Sequence, residues 1–223
     1  MTILSVNVGL PREVIWHGRP VLTGIFKDPV DGRIPLGRLN LDGDRQADLT
    51  VHGGKDKAVY CYPVSHYDFW RKELPDHELG AGSFGENFTT DGLLEDSVHI
   101  GDRFSAGSAE VVVTQPRMPC YKLGIRFQSD DMVKRFFASG RSGFYVAVLR
   151  EGEVGAGDDM VVLSRDPEGI SVAEMVRLYG AKRWDSSDFA TVRRLARVAA
   201  LPEGWKEYFD ARLEKTHGTD SEN

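Results

Sequence analysis

The sequence predicts a mainly β protein that ends in a small α-helical domain, and three observations predict it. Between Thr2 and about Leu163, short β-prone runs recur with glycines between them. Past Arg165-Asp166-Pro167-Glu168-Gly169, the apolar residues fall at helical spacing instead. The 223 residues, 41% hydrophobic and 28% charged, suit a globular chain of one large domain or a main domain with an appendage.

The β-prone runs are, in order, ILSVNV, VIWHGRPVLTGIF, AVYCY, VHIGDRF, AEVVVTQ, GFYVAVL and DMVVL. Short strands joined by Gly-rich turns favour a barrel or sandwich over a parallel α/β sheet. Two helices interrupt them. His66 to Leu74 sets Tyr67, Trp70 and Leu74 on one face, and Asp130 to Ala138 opens with acids that suit a helix N-terminus. After the break, Ser171 and Glu174 have the spacing of a capping box at the head of ISVAEMVRLYG, which stops at Gly180. SDFATVRRLARV and EGWKEYFDARLEK complete three helices. The expected organisation is a β domain over 1–165, a helical domain over 170–215 and a polar tail over 216–223.

Charge and cysteine usage narrow the function. A formal net charge of −6 argues against stable nucleic-acid binding, which leaves a basic footprint. Cys61 and Cys120 lie too far apart for a CxxC pair and form no disulfide framework, which points to a reducing, cytoplasmic compartment. The N-terminus does not read as a secretory signal, and no apolar run nears the roughly 18–20 residues of a membrane helix. Gly80-Ala81-Gly82-Ser83-Phe84-Gly85 matches a dinucleotide fingerprint, but a helical stretch precedes it and β-prone ENFTT comes after it, the reverse of the required order. Asp42, Asp44 and Asp48 recur like calcium ligands, yet Ala47 and Gly53 stand where an EF-hand needs Gly and Glu.

What remains is a constellation around one thiol. Cys120 sits between Pro119 and Tyr121 in TQPRMPCYKLG, near Arg117, Lys122 and Arg126, and cations favour the thiolate that serves as nucleophile or metal ligand. Cys61, inside AVYCY, reads as a small buried hydrophobe. RQADLTVHGGKDK offers Arg45, His52, Lys55 and Lys57 beside glycines that let backbone N–H groups approach a ligand; a solvated turn is the alternative. In FGENFT, Asn87 and Thr89 either face a ligand or satisfy a turn.

LDGDRQADLTVHGGKDKAVYCYP, GSFGENFTT, VHIGDRF and TQPRMPCYKLGIRF together resemble successive motifs of MOSC-domain proteins of the YiiM type. The segment from ISVAEMVRLYG onward is similar to that group's three-helix domain. The resemblance implies a MOSC β-barrel and a bound molybdenum cofactor, a pterin dithiolene carrying a phosphate. It implies that Cys120 ligates molybdenum, a role a soft thiolate suits. Arg45, His52, Lys55, Lys57, Asn87, Arg117, Lys122 and Arg126 fall in the motif segments as pocket or cofactor contacts; protons must also be delivered, by His52 or a lysine, and the sequence does not select between them.

The implied activity is reduction of N-hydroxylated compounds, including hydroxylamino-purine base analogues, with a separate flavin or iron–sulfur protein as electron donor. Two cysteines fall short of the four that an iron–sulfur cluster usually takes. The helical domain is either a docking site for that donor or a structural or homodimer contact. The alternative function is a carrier of the molybdenum cofactor or of sulfur that uses Cys120 without turnover. A cysteine-nucleophile enzyme is a third, weaker reading, for want of a Cys and His signature.

Overall fold

Residues 1–47 and 53–219 are described by the structure, a computed structural model. The first half of the chain lays down β1 (Thr2–Val8), β2 (Arg12–Trp16), β3 (Arg19–Thr23), β4 (Asp28–Pro29), β5 (Arg33–Leu36), β6 (Val59–Pro63), helix α1 (His66–Glu73) and β7 (Phe88–Asp91). The second half adds β8 (Arg103–Ala106), β9 (Ala109–Pro116), α2 (Tyr121–Phe127), α3 (Met132–Ser139), β10 (Phe144–Arg150), β11 (Gly152–Gly155) and β12 (Met160–Ser164). Three helices end the chain: α4 (Val172–Gly180), α5 (Ser186–Leu195) and α6 (Glu203–Thr219), the last running into the stretch expected as a polar tail.

Eight strands form one sheet in the order β12-β8-β9-β10-β6-β7-β1-β4, in which only the β6–β7 pair is parallel. This corrects the expected barrel, because the sheet curls but does not close. Its two sides touch at one corner, where Thr2 bridges Asp159 and the Met160 N–H donates to the Met1 carbonyl at 2.8 Å. Further along β1, Asn7 and Val8 pair with Pro29 and Asp28 of β4, so that flank is taken and no ladder to β12 can continue. Within the run VIWHGRPVLTGIF, His17 and Gly18 both adopt positive φ, the requirement of a tight hairpin turn, and split it into the separate β2–β3 ribbon.

Strand periodicity explains the core. Residues along β6 alternate between faces, so Val59 and Cys61 join one apolar cluster while Tyr60 and Tyr62 join another. The second cluster is aromatic, built from Tyr67, Trp70, Phe84, Phe127 and Phe136, and Trp70 Nε1 donates to Tyr62 OH at 2.7 Å. Cys61 is fully buried and its thiol pKa is raised by that burial, in keeping with the structural role expected of it. The first cluster runs from the sheet into the C-terminal helices, taking in Val172, Met175, Leu178, Val192 and Phe209. The capping box is present: Glu174 N–H donates to Ser171 Oγ at 3.1 Å and Ser171 N–H to Glu174 Oε2 at 3.0 Å.

A bulge in β9 positions the segment that leads to Cys120. Tyr145 faces Gln115 but Val146 faces Val113, leaving Thr114 as an extra residue. Bulges bend a strand and re-aim its side chains. Thr114 Oγ1 caps the bulge, donating to the carbonyl of Asp56 at 2.6 Å and lying 3.1 Å from that of Tyr145. The strand end therefore carries Pro116 and Arg117 toward the turn at Lys55–Lys57.

Candidate functional site

Past Pro116 the chain makes one more bond to the neighbouring strand, Arg117 N–H to the Gly143 carbonyl at 3.3 Å, before Pro119, which lacks an N–H donor. The next residue, Cys120, takes extended dihedrals (φ −127°, ψ 168°) at the N-cap of α2, a helix not expected from the sequence. This places the half-buried thiol on the wall of a pocket with Lys57, Asn87, Arg117 and Lys122. The pocket has a volume of about 80 Å³ and opens to solvent on one side. Five of the expected site residues thus meet in one place.

Three other expected residues, Arg45, Lys55 and Arg126, lie outside this pocket. Arg45 is exposed and donates to the Asp44 carbonyl at 2.8 Å. Lys55 faces a separate, outer cleft. Arg126 leaves the pocket, stacking 5.4 Å from the Phe26 ring, and its pKa is lowered by burial and by the nearby Arg12. His52 lies outside the described residues.

Four buried or half-buried cations line the pocket: Arg117, Lys122, Lys57 and Lys27. Arg117 is 6% exposed and Lys122 7%, and neither forms an ion pair among the described residues. Arg117 stacks its guanidinium 5.2 Å from the Tyr60 ring and 5.0 Å from that of Phe136, yet Nη1 is buried with no hydrogen-bond partner among the described residues. An unmet buried donor costs about 1–3 kcal/mol, more when charged, so the site is built to receive an acceptor. Lys57 is half-buried, and burial lowers its pKa against the opposing pull of Asp56 and Cys120.

Asn87 lines the pocket but spends its donors on the protein. Its Nδ2 donates to the Asn7 carbonyl at 3.2 Å and to Asp44 Oδ2 at 3.0 Å, while Oδ1 accepts from Tyr60 N–H at 3.1 Å. Thr89 likewise donates to Glu86 Oε1 at 3.0 Å. Asn87's partners lie on other segments of the chain, so its bonds knit the pocket wall rather than close a turn.

Lys27, Tyr60, Gln46 and Tyr145 also line the pocket and were missed from sequence. Lys27 is buried in an ion pair with fully buried Asp44; burial lowers its pKa, only partly offset by Asp44. Asp44 Oδ1 also accepts from Gly9 N–H at 2.9 Å, so the DGDR motif serves as an anchor for a pocket lysine. The signal available was an acid too many for a failed calcium loop. Gly24 lets the strands crowd together here, because a Cβ would sit 2.7 Å from the Arg45 carbonyl oxygen. Gly85 takes φ +80°, a conformation other residues avoid, and the loop it belongs to wraps Glu86.

Glu86 is fully buried and gathers only donors: Gly82 N–H at 2.8 Å, Phe84 N–H at 3.0 Å, Thr89 and the Tyr67 hydroxyl. Burial raises its pKa, against the pull of those hydrogen bonds. The folded chain therefore holds this proton more tightly than the unfolded chain. Its contribution to stability is full below the ordinary glutamate pKa of 4.5 and is lost as pH rises through the raised folded value. Glu86→Gln is expected to lower the melting temperature overall, since an amide N–H meets another donor, and to flatten its fall with rising pH. Thermal denaturation from pH 4 upward measures both; an unchanged slope removes Glu86 as its source.

Comparison with known proteins places this geometry in a family. Residues 48–161 match the MOSC domain and residues 184–216 the YiiM-like, 3-alpha helix domain. Protein YiiM of Escherichia coli (strain K12) is 36% identical over 198 residues, covering 88% of this chain and 86% of that one. A protein of Gibberella moniliformis named "Reductase" is 33% identical over 203 residues, covering 90% of this chain and 35% of its own length. The crystal structure of YiiM from Geobacillus stearothermophilus superposes with a TM-score of 0.79 at 36% identity, covering 95% of this chain and 98% of that one. With both domains in this order and such identity over most of YiiM's length, the chain belongs to the MOSC-domain family, in its YiiM type.

Proposed function

We propose that the chain is a molybdenum cofactor-dependent reductase of N-hydroxylated compounds, hydroxylamino-purine base analogues among them. The observation that carries this reading is the half-buried Cys120 thiol in a pocket where a buried Arg117 nitrogen lacks a partner among the described residues. MOSC domains are associated with molybdenum cofactor binding, and the fungal relative named a reductase supports an oxidoreductase.

The residues present suit such a group chemically. A thiolate at Cys120 is a soft ligand for the metal, and Arg117, Lys122 and Lys57 offer N–H donors and positive charge to an anionic end. Arg117 is held by its stacking on Tyr60 and Phe136, and its Nη1 has no hydrogen-bond partner among the described residues. The Asp44 anchor keeps Lys27 at the wall. When bound, the cofactor supplies the two-electron couple for N–OH plus two electrons and two protons giving N–H plus water. Electrons reach it from a separate flavin or iron–sulfur protein.

The test is molybdenum and pterin content per chain, with turnover of 6-hydroxylaminopurine by reduced viologen, in protein from a cofactor-competent host. Near-stoichiometric metal with turnover is expected. A folded, metal-free chain, or a loaded chain without turnover, overturns the reading and favours a carrier of cofactor or sulfur.

A further inference from the structure

We propose that the C-terminal helices build a stacking site for a planar, fused nitrogen heterocycle directly outside the Cys120 pocket. The site is a cleft of about 470 Å³, within the roughly 300–1,000 Å³ of small-molecule sites. Gly53 and Lys57 line both the cleft and the inner pocket, so the two spaces share a wall. Met118, two residues before Cys120, lines the cleft as well.

The far wall is aromatic and comes from the helices. Tyr179 at the end of α4 and Trp205 and Tyr208 of α6 pack together, edge-on between Tyr179 and Trp205 (centroids 5.4 Å) and tilted between Tyr179 and Tyr208 (5.1 Å), and all three line the cleft. Tyr179 is 37% exposed and Tyr208 36%, so part of each ring meets the cleft. The Trp205 indole is fixed in orientation: Nε1 donates to Gln115 Oε1 at 2.8 Å, and Gln115 Nε2 donates to the Asp56 carbonyl at 3.3 Å. These bonds tie α6 to the turn that carries Lys57. Rings preset this way bind flat π-faces at little entropic cost, and Lys55 and Lys57 at the rim favour electron-rich, acceptor-bearing heterocycles.

The inner pocket at Cys120 takes the reacting end of a ligand, and the cleft takes the ring behind it. Two sources supply such a ring if the reductase reading, on which this inference rests for its kinetic arm, is right: the purine of the substrate or the pterin of the cofactor. Wild type, Trp205→Ala, Trp205→Phe and Tyr208→Ser are compared by circular dichroism, molybdenum content, calorimetric titration with adenine, and the ratio of KM for 6-hydroxylaminopurine to KM for acetamidoxime. Tyr208→Ser guards against a fold defect, because Trp205 also packs on the core.

A substrate site predicts that folded Trp205→Ala keeps its molybdenum, binds adenine about 10-fold more weakly and shows a KM ratio about 10-fold higher, with Trp205→Phe near wild type. A cofactor site predicts instead that molybdenum content falls several-fold in Trp205→Ala and Tyr208→Ser. Wild-type values of all three quantities in both variants overturn the proposal. A wild type without molybdenum defeats the reductase reading alone, since adenine titration still reads the cleft.

Discussion

Replacing Cys120 with serine is expected to strip molybdenum from the purified protein and to lower reductase turnover by more than about 100-fold, beyond the 10–100-fold typical of losing a second-layer partner of a metal site. The same change is expected to leave the fold intact and to stabilise it by up to about 1 kcal/mol. The reason lies in the N-cap of α2. Cys120 has the extended dihedrals of an N-cap but makes no side-chain capping bond, and a hydroxyl at that position is a stronger acceptor for the first helical N–H groups. Activity and stability should therefore move in opposite directions, which a folding defect cannot mimic. Metal analysis beside thermal denaturation reads both. Retained molybdenum with turnover within a few-fold of wild type would take Cys120 out of the ligand role.

The largest expected loss of stability comes from Asp44→Ala. Removing one partner of a buried ion pair costs about 3–5 kcal/mol, because the other charge stays buried without compensation. Here Lys27 would be left so, while the Gly9 N–H and Asn87 Nδ2 lose their acceptors together. In a chain of this size that corresponds to a fall in melting temperature of about 6–20 °C. The double variant Lys27→Met with Asp44→Leu should recover part of the loss, since an apolar pair of similar volume carries no desolvation cost. A fall below about 1 kcal/mol for Asp44→Ala would mean that water reaches Lys27 readily.

Local chemistry was legible in the sequence, and long-range pairing was not. The capping box at Ser171 and Glu174, the burial of Cys61 in AVYCY and the β-rich character were each readable within a few residues, and the structure has them. The two helices expected in the β-rich part are present within a residue or two of their expected bounds. Helix α2 was hidden because Pro116 and Pro119 and a mid-helix Gly124 read as loop, whereas the prolines stand before the N-cap and do not break it. Gly124 is needed there because a Cβ would lie 2.8 Å from the Ser129 carbonyl oxygen.

Within the candidate site, the residues close to Cys120 in sequence, Arg117 and Lys122, were found by their charge. Lys27 was not, because its partner Asp44 lies on another segment and nothing periodic links the two. Trp205 and Gln115, 90 residues apart, show the same limit. Open or closed curvature of the sheet depends on which strand claims the far flank of β1. That competition between residues 28–29 and 158–160 leaves no local trace.

The corner where β1 meets the start of β12 sets an order of events for a chain emerging from a ribosome. Thr2 Oγ1 and Asp159 Oδ1 bond across 157 residues of sequence, and the Ile3 N–H pairs with the Asp158 carbonyl. Such distant partners make folding slow, since loop closure must precede any gain from contact. β1 is made well before residues 157–160, so part of its edge waits for about 155 further residues to follow it. Until then its apolar residues, Ile3 and Val6, lack part of their final cover. Nascent chains stalled before residue 160 should therefore be the species most exposed to chaperones and to edge-to-edge association.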